Sequence, residues 1–220
     1  MTLFCTNHIL DSVIYNPLKL ETPLGNLSFK FKVNEVYFNH NELSAVKARG
    51  SNNYVSSWKS NNCEIDCLRA NFNPVLPFNM KVDQCFAFIW RIKAFKNLEI
   101  NLQCLLETCL IGSPDSGEHL IAQSFENNSI NLVIGTEDEE KLQIRSENND
   151  WIPHRFGSIL DSNSICYLDQ GVEVHFHLLK EEKIQIQFIV AWVLNTNHDL
   201  STWYAVEQPT IKILNQVGFY

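Results

Sequence analysis

The chain has 220 residues, enough to bury one sizeable core, and 45% of them are hydrophobic, an ordinary share for a globular fold. Its net charge of −8 excludes the basic footprint of nonspecific nucleic-acid binding and disfavours docking on anionic lipid. No run of about 18 apolar residues is present, so no membrane-spanning helix is expected.

The first residues lack a basic stretch ahead of an apolar one and are interrupted by Asn7, His8 and Asp11, so a cytoplasmic protein is expected. A first strand is expected near 8–15. The stretch "NLSFKFKV" then alternates strictly. Leu27, Phe29, Phe31 and Val33 share one face, and Ser28, Lys30 and Lys32 the other, which is the period of a half-buried strand. A short helix is expected near 41–49, with Asn41 as cap and Gly50 as the left-handed exit. The Ser- and Asn-rich residues 50–62 and the proline-bearing residues 71–79 read as connections.

"CFAFIWRIKAF" (85–95) is apolar on both faces until Arg91, as a central strand covered from two sides would be. Residues 98–107 repeat the pattern, with Leu98, Ile100, Leu102, Cys104 and Leu106 inward. Further strands are expected near 119–124, 129–134, 141–146, 164–168, 172–179, 183–194, 202–206 and 209–214, between turns rich in Gly, Pro, Asn and Asp. So many short strands at regular spacing predict a single all-β domain over residues 1–220. Its expected architecture is a two-layer antiparallel β-sandwich of jelly-roll type, with a closed β-barrel as the alternative.

The seven cysteines are an odd set, and without a visible export signal they read as reduced thiols. Cys63 and Cys67 lack a second Cys or His pair at zinc-finger spacing, so they read as ordinary thiols.

"VEVHFHLLKEEKIQIQF" (172–188) carries the sharpest signal. It reads as a β-hairpin with His175 and His177 on one strand face, their Cα atoms roughly 6.5–7 Å apart. A three-residue loop, Lys180 to Glu182, keeps the apolar rows together and sets the histidines beside Gln185 and Gln187. The expected result is a polar quartet at the mouth of a cleft. The His-x-His pair followed by Glu181 resembles the first metal-binding motif of the cupins, which implies a metal-holding β fold. Gly171, however, stands too close to His175 for that motif, and no second motif is recognisable. No metal or cofactor is therefore expected.

"GTEDEEKL" (135–142) lacks the alternating acids of an EF-hand. A calcium site assembled from loops would draw on Asp115, Glu118, Glu137 or Asp138, and a solvated hairpin tip is the simpler reading. Trp151 and Trp203 sit near loops, where an aromatic face can stack on a flat ligand. Nucleophile and phosphate-loop motifs are absent.

The sequence thus predicts a β-sandwich that binds a small-molecule or carbohydrate-like ligand through His175, His177, Gln185, Gln187, Trp151 and Trp203. Two alternatives stand beside it: a cofactor-independent cyclase or isomerase using the same cleft, with a histidine moving the proton, and a structural or protein-interaction module. Neither nucleic acid nor membrane is an expected partner.

Overall fold

The computed structural model describes residues 2–8, 10–13, 18–39, 44–48, 52–148, 151–159, 164–194 and 200–220. Two antiparallel sheets face each other. The larger contains, in spatial order, β1 (Leu10–Val13), β5 (Ser44–Ala48), β6 (Tyr54–Lys59), β7 (Cys63–Asn71), β8 (Gln84–Ala94), β15 (Lys183–Leu194), β12 (Ile130–Glu137), β11 (Leu120–Asn127) and β10 (Ser113–Gly117). The smaller contains β13 (Ile165–Leu168), β14 (Gly171–Leu178), β9 (Leu98–Glu107), β3 (Gly25–Val33) and β2 (Leu20–Thr22), with β4 (Val36–Asn39) also paired to β3. This is a β-sandwich, and its sheets do not close into a barrel.

The alternating rows explain why the sheets stack. Phe29 and Phe31 of β3, Ile100 and Leu102 of β9, and Val174 and Phe176 of β14 point at Phe88 and Trp90 of β8 and at Ile186 and Phe188 of β15. The Phe29 ring centroid lies 4.7 Å from that of Phe88 and 5.9 Å from that of Phe188. Burying such rings is worth roughly 1.5–3 kcal/mol each. β8 is buried on both faces from Cys85 to Ile92, as its continuous apolar run requires.

What covers its second face is helical. Helices α3 (Ser201–Val206) and α4 (Thr210–Val217), with Phe4 and Phe219, pack on Cys85, Ala87, Ile89, Ile189 and Ala191. No helix among the described residues is long and apolar enough to cross a membrane.

Five local expectations are corrected. Ser44–Ala48 is the strand β5, hydrogen-bonded between β1 and β6, and not part of a helix near 41–49. An isolated helix that short is marginal, whereas two flanking strands satisfy the backbone outright. Residues 41–43, 49 and 50 lie outside the described residues.

Residues 141–146 belong to α1 (Glu139–Glu147), because Asp138 caps that helix by accepting the Lys141 N–H at 2.8 Å; the short α2 (Phe156–Ile159) follows it in the chain. The runs near 202–206 and 209–214 are α3 and α4. In α4, Ile213, Leu214 and Val217 form one buried helical face, and Gly218 exits at φ 73°. The Ser- and Asn-rich connection contains β6, which the sequence reading missed.

Candidate functional site

The expected hairpin is a corner. β14 pairs with β9 and β13, β15 pairs with β8 and β12, and residues 179–182 carry the chain from one sheet to the other. The neighbouring link from β8 to β9 makes the same crossing, and the two links are hydrogen-bonded side by side. Glu181 N–H donates to the Ala94 carbonyl at 2.9 Å, and Lys180 N–H donates to Asn97 Oδ1 at 2.9 Å.

The predicted quartet is therefore split between opposite outer faces of the sandwich. His175 and His177 are exposed on the smaller sheet. His175 borders a shallow depression of about 200 Å³ with Lys32, Tyr37, Glu99 and Glu173. Gln185 and Gln187 are buried on the helix-covered face of the larger sheet.

Gln185 serves the fold. It completes a cross-strand row with Asp66 and Arg91, accepting from Arg91 Nε at 2.8 Å. The Arg91 guanidinium lies 4.3 Å from the Phe4 ring centroid and 4.4 Å from that of Trp151, and it donates to the Leu3 and Tyr220 carbonyls. Burial pushes the Asp66 carboxyl up, opposed by hydrogen bonds from Ser57 and the Leu3 N–H. Trp151 thus has its ring engaged by Arg91, and it edges a cleft of about 410 Å³ with His154, Glu181, Glu182 and Lys183.

Gln187 leads to the more elaborate site. A cleft of about 320 Å³ opens where the β10–β11 turn, the end of β12, α1 and the α3–α4 joint meet. Its polar lining includes His119, Glu137, Lys141, Gln187, Glu207 and Lys212, with Glu118 and Gln208 beside them. Gln187 is fixed at both ends of its amide, donating to the Gln208 carbonyl at 3.2 Å and accepting from Thr210 Oγ1 at 2.5 Å.

Glu137 is held by the buried Arg145 guanidinium, which also donates to the Gln185 carbonyl at 3.2 Å. Trp203 does not line this cleft. Its ring packs on Gly117, where a Cβ would stand 2.6 Å from Trp203 Cζ2, and so it backs the turn that carries Glu118 and His119.

Chemically, the cleft combines fixed amide and carboxylate groups with two ammonium donors and an imidazole. Such a set suits a small ligand rich in hydroxyl or anionic oxygens. Of the residues singled out in the sequence, Glu118, Glu137 and Gln187 line it. His119, Lys141, Arg145, Glu207 and Lys212 carry no sequence signal, because none stands in a motif and the α3–α4 joint lies between runs whose pattern predicts strands.

No protein-family model and no curated protein matches the sequence. Among solved structures, one described as a kojibiose phosphorylase from the human microbiome superposes with a TM-score of 0.51 at 9% identity. The match covers 96% of this chain and 30% of that one, so this chain is similar in fold to a part of that protein.

Proposed function

We propose that this chain is a ligand-binding β-sandwich that takes a small carbohydrate-like molecule in the cleft between α1 and the α3–α4 joint. The observation that carries this reading is the convergence of His119, Glu137, Lys141, Gln187, Glu207 and Lys212, drawn from separate elements, on one recess of about 320 Å³. That volume falls at the small end of ligand pockets, the range of a mono- or disaccharide. Similarity to part of a structure described as a kojibiose phosphorylase adds support for a sugar over other polar ligands. His175 and His177 stand exposed, with only His175 bordering a shallow depression, a poor setting for the proton-transfer alternative, which needs a water-excluding cavity.

Saturation-transfer NMR with a panel of glucose, glucose phosphate and glucose disaccharides tests this reading. Binding by at least one member is expected, weakened about tenfold or more in Lys212→Ala and Glu207→Gln, where about 1.4 kcal/mol of hydrogen bonding is lost. Silence across the panel, or binding indifferent to both substitutions, would refute it.

A further inference from the structure

Beside this cleft, His119, Asp138 and Glu140 each present a donor atom within 4.8 Å of the other two. Their placement is built by the backbone. His119 ends the β10–β11 turn at φ 68°, and its carbonyl accepts the Asp138 N–H at 3.3 Å, which ties that turn to the start of α1. Asp138 caps α1 and Glu140 follows in its first turn, so both carboxylates face the imidazole from one helix end. A carboxylate that caps with one oxygen keeps the other for a further ligand.

A separate observation points to something held between them. His119 Nδ1 is buried and makes no hydrogen bond. Glu140 Oε2 lies 3.8 Å away, beyond hydrogen-bond reach. Leaving a buried ring nitrogen unmet is unfavourable, and a cation between these groups would meet it.

We propose that His119, Asp138 and Glu140 form a divalent transition-metal site of the zinc class. One imidazole with two carboxylates suits zinc or manganese, whereas calcium takes six to eight oxygen ligands. Donors at about 2.1 Å from a tetrahedral centre stand about 3.4 Å apart. The cluster therefore needs to close only modestly, and the exposed Glu140 side chain can swing inward.

Three protein ligands leave at least one position for water or a ligand oxygen. Because His119 also lines the cleft, the metal would stand at its rim. The site does not depend on the cleft taking a sugar, and metal binding is measured with no sugar present.

The test is calorimetric titration of zinc chloride into the full chain after chelator treatment and dialysis. One equivalent should bind, and binding should weaken about tenfold or more in His119→Ala, Glu140→Gln and Asp138→Asn. The last retains an oxygen to cap α1, so its fold is preserved while its charge is lost. In histidine-selective NMR, zinc should shift the His119 ring first. Absence of binding overturns the proposal. So does zinc that is unaffected by these substitutions but lost in the double variant His175→Ala/His177→Ala, which would place the metal on the exposed strand face.

Discussion

Removing Arg145 should be among the most damaging single changes near the cleft. The Glu137 and Arg145 side chains are only 8% and 7% exposed, so their pair is a buried one. A surface ion pair would be worth about 0.2–1 kcal/mol. Breaking a buried pair leaves one charge without its partner in a poorly solvated site and costs about 3–5 kcal/mol.

Arg145→Met keeps most of the side-chain volume and removes the charge, so cavity formation adds little. It should therefore lower stability by about 3–5 kcal/mol, or roughly 6–20 °C in Tm for a domain of this size. Glu137→Gln combined with Arg145→Met removes both charges, and should cost well under the sum of the two single changes, giving a coupling of about 2 kcal/mol or more. Urea denaturation of the four proteins at 0.15 M and 1 M salt measures this, and the coupling should survive the higher salt. Single costs below about 1 kcal/mol that simply add would show that solvent reaches the pair and that the floor of the cleft is open.

Two further outcomes follow from individual side chains. Under native conditions a thiol reagent should modify Cys5 and Cys109 quickly, while Cys63, Cys67, Cys85 and Cys104 wait for unfolding; all four are buried, and burial pushes the Cys63 thiol up to about 11. Seven thiols should be counted in denaturant, since none is in a disulfide, and early labelling of Cys67 or Cys104 would mean the sheets separate in the native state. Burial alone would raise the Glu182 carboxyl, but Arg155, donating at 2.7 and 2.8 Å, and the Leu179 N–H outweigh it and hold the group below its ordinary value of 4.5. Its folded pKa is thus depressed, so its stabilisation is complete above the ordinary glutamate range and lost as pH falls through the folded value. Glu182→Gln should cost about 1 kcal/mol at neutral pH, with the gap to the parent closing in acid unfolding curves. A gap that stays constant with pH would exclude the charge as its cause.

Much of the sandwich was legible because half-buried strands write their period into the chain. Asn26–Val33 alternates strictly and Leu98–Glu107 departs from the pattern only at Leu105, and both line the inter-sheet core on the expected side. The double burial of β8 could be read from its unbroken apolar run. The C-terminal helices could not be read in the same way. "TWYAV" and "TIKIL" are rich in aromatic and β-branched residues, and over five residues a strand's alternation and a helix's face fit equally well. What decides them is tertiary. The outer face of β8 and β15 carries small and aliphatic residues, Ala87, Ile89, Ile189 and Ala191, which leave room for Val206, Ile213 and Val217 to pack as helices.

The histidine strand shows the deeper limit. The apolar rows Val174–Phe176–Leu178 and Ile184–Ile186–Phe188 would share one face of a hairpin, and they also meet when the two strands face each other across a sandwich. Hydrophobic patterning is the same in both arrangements, so it places the histidines away from the core either way. It says nothing about which strands lie beside them. The neighbours are set by a contact between two distant links, Glu181 against Ala94 and Lys180 against Asn97, about 85 residues apart in sequence. Once that pairing makes the link a corner, His175 and Gln187 are carried to opposite sides of the molecule. The polar groups that do converge then come from the turn at His119, the cap at Asp138 and the joint at Gln208, none of which a strand pattern can register.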